Sequence, residues 1–203
     1  MLKDDYIYRC LLQTMTRMLL GFIISFVLAF VLGVIAGNDE RLELLFKPLM
    51  NVLRSIPTAC LVYLFLVLLG ARMTPLFIVV LIAFPILYES VLSGIKSTPI
   101  EYLEACRLDG SGIIRENLVL RIPLGFPYIL AGIVSTFGLS LKIEIMAEVI
   151  TGYTRLGIGS AILAQQRSDP TNMVPIFAYG FVVIVLVLFL DLIAFLLKDR
   201  EVL

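Results

Sequence analysis

Long uncharged runs of apolar residues constrain this chain more than any other feature of its sequence. The clearest run, Met173 to Leu197, is interrupted only by Asp191. An α-helix needs roughly 20 predominantly apolar residues to cross the hydrocarbon core of a bilayer. The whole chain is 60% hydrophobic and 16% charged, whereas soluble domains are about 45–50% apolar and about 25% charged. The sequence therefore predicts an integral membrane protein.

Runs of this kind predict an all-α bundle of about five membrane-spanning helices, which forms a single domain over residues 1–203. The predicted spans lie at about 18–38, 55–71, 73–95, 124–148 and 173–197. The second is close to the lower length limit and contains Pro57. A polar loop over residues 96–123 separates the third span from the fourth.

The positions of Lys and Arg predict which side of the membrane each loop faces, because cytoplasmic loops are enriched in these residues. One side would collect Arg41, Lys47, Arg54, Lys96, Arg107, Arg115, Arg121, Lys198 and Arg200. We therefore expect loop 96–123 and the C-terminus in the cytoplasm. Two alternatives remain for the N-terminus: Tyr6 to Thr14 forms an amphipathic helix on the outer surface, or the natural chain has an earlier span.

Loop 96–123 has the pattern of two short helices joined by a hinge. A Ser-Thr-Pro sequence favours a helix start, with Thr98 as the cap. Gly110 and Gly112 are expected to end this helix. A second helical stretch, Ile113 to Arg121, ends against Pro123, which can also open the next helix. Such a rigid unit could transmit movement between a soluble partner and the bundle.

The same loop contains a long pattern with fixed spacing. Glu104-Ala105-Cys106 is followed by three residues and Gly110, and then by nine residues and Leu120-Arg121-Ile122-Pro123. This pattern resembles the EAA loop of binding-protein-dependent ABC importer permeases, in which Glu-Ala-Ala, three residues, Gly, nine residues and Ile-x-Leu-Pro follow one another. The spacing matches throughout, and Cys106 replaces the second Ala.

Other short motifs extend the resemblance over most of the chain. They are Leu53-Arg54-Ser55-Ile56-Pro57-Thr58, Phe84-Pro85-Ile86, Ala147-Glu148 and Leu156-Gly157-Ile158-Gly159. These motifs are similar to those of the importer subgroup that carries nitrate, aliphatic sulfonates and taurine. Members of that subgroup commonly have an additional span at the front, and this chain begins after it.

The resemblance implies a type I ABC importer permease in a bacterial inner membrane. Its partners would be a second permease copy, two separate ATPase subunits and an extracytoplasmic substrate-binding protein. The residues implied in docking on the ATPase are Glu101, Glu104, Ala105, Cys106, Arg107, Leu108, Asp109 and Gly110. The subgroup implies a small anion as the transported solute.

Ionisable residues within the spans require a separate explanation, because charge at membrane depth is costly and usually faces the bundle or water. Glu89, Lys142, Glu144 and Glu148 are candidates for a polar pathway or gate. Glu144 and Glu148 share a helix face, whereas Lys142 does not lie on it. Lys142 needs a partner on another helix, for which Glu89 is one candidate, or it snorkels to the outer interface.

The sequence argues against chemistry in this chain. It has no histidine, three isolated cysteines and a formal net charge of zero, which predicts no metal, no cofactor and no nucleic acid. It lacks a GxxxxGK[ST] phosphate loop, so ATP hydrolysis is expected in a partner subunit and not here. The alternatives are a secondary transporter without an ATPase, or an ABC permease for osmoprotectants or methionine. A membrane-embedded enzyme would need a convergent catalytic set that the spans do not show.

Overall fold

The computed structural model describes residues 4–108, 110–152 and 156–199, without the side chains of Asp4, Arg107, Leu190, Asp191 and 193–199. All regular structure in these ranges is helical. In chain order the helices are α1 (Asp4–Asn38), α2 (Glu40–Ser55), α3 (Thr58–Leu69), α4 (Thr74–Lys96), α5 (Ile100–Leu108), α6 (Ile113–Glu116), a π turn (Asn117–Arg121), α7 (Ile122–Thr151), α8 (Ile158–Ser168) and α9 (Val174–Asp199). The predicted all-α fold is confirmed.

Helix α1 is a single helix of 35 residues, about 52 Å long at 1.5 Å per residue. The segment Tyr6 to Thr14 is part of α1 and does not form a separate surface helix. The chain has no Gly before Gly21 and no Pro before Pro48, so nothing in this segment interrupts the helix. The helix is therefore longer than the roughly 30 Å of a hydrocarbon core.

The segment predicted as the second span is divided between two helices. Helix α3 has 12 residues, and its axis is bent by 94° from that of α2. Pro57 follows Ile56, which has an extended backbone with ψ of 126°, as expected for a residue before proline. By length and composition, α2 and α3 suffice for a membrane crossing only if they are counted together.

Among the helical residues whose side chains the structure describes, three runs are long and apolar enough to cross a membrane. They are Asp5–Asn38, Thr74–Lys96 and Ile113–Thr151. Their outward faces carry large exposed apolar side chains, such as Ile23, Val27 and Val31 on α1. Such a surface is typical of contact with lipid and would be unusual in a soluble monomer.

Helix α4 lies between α1 and α7 and packs against both. Small residues permit the close approach: a Cβ atom on Gly125 would lie 2.4 Å from the carbonyl oxygen of Gly94. Gly132 permits a similar approach, because a Cβ atom there would meet Ser90 Oγ at 2.2 Å. Gly180, by contrast, has no neighbour within 4 Å of the position that a Cβ atom would take.

Candidate coupling and pathway sites

Helix α5, which carries the Glu-Ala-Cys pattern, presents most of its surface to the exterior. Glu101, Glu104 and Ala105 are exposed, and Cys106 is partly buried. Three apolar side chains of this segment are also exposed: Ile100, Tyr102 and Leu108. Asp109 and the side chain of Arg107 lie outside the described part of the chain. An exposed short helix with apolar and acidic side chains is suited to docking on another protein.

The hinge after α5 agrees with the sequence pattern in part. Gly110 has a φ of +74°, a left-handed conformation that glycine adopts at helix ends. Thr98 does not act as the predicted cap, because its Oγ1 atom is buried without a hydrogen-bond partner. Residues Ile113–Arg121 do not end against Pro123 but run without a break into α7.

A π turn replaces the expected break before Pro123. Proline has no N–H to donate and its ring would clash within a regular helix. The wider turn relieves this conflict, and the Ile122 N–H bonds to the Asn117 carbonyl five residues earlier. Turns of this kind are frequent at functional sites. Here the π turn carries the side chains that anchor the loop.

A buried ion pair lies within this segment, and its arginine also binds the end of α1. Arg121 Nη2 and Nε donate to Glu116 Oε1 at 2.6 and 2.8 Å, and Arg121 Nη1 donates to the Gly37 carbonyl at 3.1 Å. Asn38 Nδ2 also donates to Asn117 Oδ1 at 3.1 Å. The base of the loop is thus fixed to the C-terminal end of α1 by one charge-assisted hydrogen bond from Arg121 and one hydrogen bond between asparagine side chains.

A cavity of about 340 Å³ separates α5 from the ends of α1, α2 and α4, and Leu103 projects into it from α5. On its wall, Lys96 Nζ and Glu43 Oε2 form an ion pair of 2.6 Å between α4 and α2. The sequence interpretation did not single out Glu116 or the Lys96–Glu43 pair. Glu116 and Arg121 are five residues apart, which is outside the three- and four-residue spacing of helical ion pairs, and Lys96 and Glu43 lie on different helices. There was therefore no local signal in the sequence for either pair.

At the opposite end of the bundle, Glu148 is completely buried and has several donors. Thr14 Oγ1 lies 3.0 Å from both carboxylate oxygens, and Arg17 Nη1 lies 3.2 Å from Oε1. The Gly159 N–H donates to Oε2 at 3.0 Å. The carboxylate therefore connects α1 and α7 to the N-terminus of α8, where negative charge is stabilised.

Two short motifs singled out in the sequence meet at this carboxylate. A Cβ atom on Gly157 would lie 2.5 Å from Glu148 Oε1, and one on Gly159 would lie 2.4 Å from the Ile145 carbonyl. Only glycine fits at such distances. The Leu-Gly-Ile-Gly motif is therefore required for α8 to approach Glu148, which the sequence could not show because the two motifs are separated along the chain.

The other candidate pathway residues occupy different environments. Glu144 is buried beside Glu148 on α7, but neither of its carboxylate oxygens has a hydrogen-bond partner. Lys142 is exposed, which agrees with the expectation that it does not share their face. Glu89 lines a groove of about 320 Å³ between α4 and α7.

The suggested pairing of Glu89 with Lys142 is not formed. Ser90, the neighbour of Glu89, packs against Gly132 of α7. Lys142 lies ten residues further along the same helix, or roughly 15 Å at 1.5 Å per residue. Glu89 therefore lies nearer mid-height of the bundle, and Lys142 lies nearer the Glu148 end.

A second pair of sequence motifs meets at mid-height. Arg54 Nη2 donates to the Pro85 carbonyl at 2.6 Å, which brings the α2–α3 bend against the middle of α4. Both residues line a cavity of about 350 Å³ together with Leu53, Ile56, Thr58, Ile82 and Ile86. The sequence interpretation placed Arg54 in a cytoplasmic loop. The contact instead places it about halfway along α4.

Comparisons with known proteins agree with this geometry. The family model described as "Binding-protein-dependent transport system inner membrane component" matches residues 29–201. A putative aliphatic sulfonates transport permease protein of Bacillus subtilis is 26% identical over 78% of this chain and 57% of its own length. A glycine betaine/proline betaine transport system permease protein of Escherichia coli is 23% identical over 71% of this chain and 40% of its own length. The chain thus spans about half the length of these curated relatives.

Solved structures show the same fold. A methionine ABC transporter in an inward-facing conformation superposes with a TM-score of 0.81 at 15% identity, over 96% of this chain and 95% of the other. An amino acid ABC transporter superposes with a TM-score of 0.79 at 17% identity, over 97% and 94%. Because the family model covers most of the sequence, the chain belongs to the inner membrane components of binding-protein-dependent transport systems, which are permeases and not enzymes.

Proposed function

We propose that this chain is the transmembrane permease subunit of an ATP-driven importer, with α5 as the helix that docks on a separate ATPase. The observation that carries the proposal is the construction of α5. It is exposed over most of its surface, yet the segment that follows it is fixed to α1 by the hydrogen bonds of Arg121 to the Gly37 carbonyl and of Asn38 to Asn117. An exposed helix whose following segment is fixed to the bundle can transmit the movement of a docked partner to the membrane-spanning helices.

The anchoring contacts suggest how movement of α5 reaches the bundle. A displacement of α5 acts on the π turn through the short α6 helix. Since Arg121 also binds the Gly37 carbonyl, α1 and α7 move together at this end. The cavity of about 340 Å³ behind Leu103 leaves space for α5 to shift towards α2 and α4. Alternating access would then follow from rotation of helices that are otherwise tightly packed.

The remaining partners follow from the same proposal. Two copies of the chain would enclose the pathway, with two ATPase subunits at the α5 end and a substrate-binding protein at the Glu148 end. The α5 end and the C-terminus would be cytoplasmic. The sulfonate permease of Bacillus subtilis, which is 26% identical, supports a small sulfonate-like or related anionic solute as the cargo.

The test is co-purification of the tagged chain with the ATPase and binding protein encoded beside it. Glu104 is exposed on α5, so Glu104→Arg leaves the bundle intact while it reverses a charge on the docking surface. We expect the ATPase to co-purify with the wild-type chain and to be lost from Glu104→Arg. The matched control is Gln166→Arg, which introduces a positive charge at an exposed position of α8, and it should retain the ATPase.

Two results would contradict the proposal. If no ATPase associates with the wild-type chain, a secondary transporter without an ATPase becomes the better interpretation. If Glu104→Arg retains both the ATPase and its hydrolysis rate, α5 is not the docking helix. Uptake assays of the complete complex with sulfonates, betaines and methionine then distinguish between importer subgroups.

A further inference from the structure

Two polar contacts attach α2 to the C-terminal half of α4 at an equal spacing on both helices. Lys96 Nζ donates to Glu43 Oε2 at 2.6 Å near the start of α2, and Arg54 Nη2 donates to the Pro85 carbonyl at 2.6 Å near its end. Glu43 and Arg54 are eleven residues apart, and so are Pro85 and Lys96, which corresponds to roughly 16 Å on each helix. The two helices are therefore antiparallel here, and α2 cannot slide along α4 without breaking both contacts.

Packed side chains occupy the space between these two contacts. Phe46 of α2 meets Tyr88 of α4 edge to face, with 6.2 Å between the ring centroids. Met50 of α2 is completely buried in the same cluster. Closely packed interiors are hardly compressible and transmit displacement. We therefore treat α2 and residues 85–96 of α4 as one rigid body, the α2–α4 unit.

One end of the α2–α4 unit lies against the space into which α5 can move. Glu43 and Lys96 line the cavity of about 340 Å³ behind α5, and Leu103 of α5 lines it from the other side. A shift of α5 towards α2 and α4 therefore acts directly on this ion pair. The two side chains are 24% and 46% exposed, and exposed ion pairs contribute little to stability, so the fold should tolerate removal of the pair.

The other end of the unit lies at the α2–α3 bend. Arg54 and Pro85 line the cavity of about 350 Å³ at mid-height, and α3 leaves this point at 94° to α2. Because Pro85 has no N–H, α4 lacks one helical hydrogen bond at the same level. Beyond the bend, Leu61 and Val62 of α3 pack on α4 and α7 in a separate apolar cluster. The bend is therefore the junction between the α2–α4 unit and the rest of the bundle.

We propose that Glu43, Lys96 and Arg54 are positioning residues for transport, which make the α2–α4 unit a rigid connection between α5 and the cavity at mid-height. Movement of α5 then reaches the bundle by two routes, through the π turn to α1 and α7 and through α2 to the α2–α3 bend. This inference rests on the proposed function, because it takes α5 as the helix that the ATPase moves.

The test follows the cavity at mid-height while the ATPase changes state. Ile56 lines this cavity, so Ile56→Cys in a Cys60→Ser and Cys106→Ser background reports on access to it. Maleimide labelling is measured in the purified complex of the chain with its ATPase and binding protein, first without nucleotide and then trapped with ATP and vanadate. Coupling between distant sites changes an equilibrium by about 5- to 150-fold, so we expect the labelling rates of the two states to differ at least about fivefold.

Variants then separate coupling from a merely structural role. Glu43→Gln and Arg54→Gln should each make the two labelling rates nearly equal, and Glu43→Gln should do so without a change in thermal stability. The exchanged pair Glu43→Lys/Lys96→Glu should restore the difference, and Arg54→Lys, which still donates to the Pro85 carbonyl, should restore it in part. The matched control is Glu40→Gln, the same change at an exposed position of α2 that forms no ion pair with any described residue, and it should keep the full difference.

Two results would overturn this inference. If labelling of Ile56→Cys does not respond to the state of the ATPase, movement of α5 does not reach the cavity at mid-height. If Glu43→Gln responds as fully as Glu40→Gln, the movement passes through the π turn alone. ATPase co-purification and hydrolysis are measured on the same preparation, and absence of the ATPase would instead overturn the importer assignment.

Discussion

Replacement of Glu148 by glutamine tests the polar contacts at the α8 end of the bundle. The wild-type carboxylate accepts hydrogen bonds from Thr14, Arg17 and the Gly159 N–H, and it is completely buried. Glutamine has almost the same volume but carries no charge. The substitution therefore removes the partner of Arg17 and turns an amide NH₂ towards groups that are themselves donors.

The expected cost follows from the number and type of these contacts. A hydrogen bond to a charged group contributes about 1.5–3 kcal/mol, and a donor left unpaired in a buried site adds a further penalty. The Arg17 side chain is 16% exposed, so water can compensate for part of its lost partner. We expect Glu148→Gln to destabilise the attachment of α8 by about 1.5–3 kcal/mol.

A native cysteine reports this change locally. Cys10 is completely buried in a cluster with Ile158 and Ala161 of α8, so a thiol reagent reaches it only when α8 separates from α1. The assay measures maleimide labelling of Cys10 in detergent, in a chain with Cys60→Ser and Cys106→Ser. The expected free-energy change corresponds to labelling that is roughly tenfold to a hundredfold faster in Glu148→Gln.

Glu144→Gln is the matched control, because Glu144 is the same residue type on the same helix and is equally buried. Its carboxylate oxygens have no hydrogen-bond partner, so removal of the charge deletes no contact and lowers the cost of burial. Labelling of Cys10 should stay unchanged or become slower. The reasoning is refuted if both variants accelerate labelling equally, since burial alone would then explain the effect.

Two further predictions concern packing and the base of the loop. Gly157→Ala should accelerate Cys10 labelling as Glu148→Gln does, because its Cβ atom would lie 2.5 Å from the Glu148 carboxylate. The control is Gly180→Ala, which has no neighbour within 4 Å and should leave labelling unchanged. Arg121→Met should lower the free energy of unfolding by about 1.5–3 kcal/mol, because it removes charge-assisted hydrogen bonds to the Glu116 carboxylate and the Gly37 carbonyl. In a thermal unfolding assay the double variant Glu116→Gln/Arg121→Met should lose less than the sum of the two single variants, and additive losses would show that the pair is not the source.

Helix α5 shows how much structure a local sequence pattern can predict. A start signal, a glycine end and a fixed spacing predicted a short helix before Gly110, and α5 ends at Leu108. The local sequence could not predict that the helix would continue through Pro123. Whether a proline breaks a helix or is accommodated by a wider turn depends on contacts that hold the backbone. Here one such contact joins Arg121 to Gly37, which belongs to a different helix.

The bend at Pro57 shows the limit of counting apolar residues. Residues 55–71 have the composition of a span, but composition does not specify the direction of a helix axis. Helices α2 and α3 meet at an angle of 94°, and Arg54 at the end of α2 binds the Pro85 carbonyl of α4. The same contact places Arg54 at mid-height of α4, whereas the sequence interpretation had placed it in a cytoplasmic loop.

The sequence by itself determined the helical class, the membrane environment and the short helix with the Glu-Ala-Cys pattern, because each depends on residues that are close together along the chain. Only the tertiary structure decided which buried charges are paired. Glu144 and Glu148 are alike in their apolar surroundings in sequence, yet only Glu148 receives donors from α1 and α8. The partners of a buried charge lie up to 134 residues away, and their meeting depends on how whole helices pack, which no local pattern encodes.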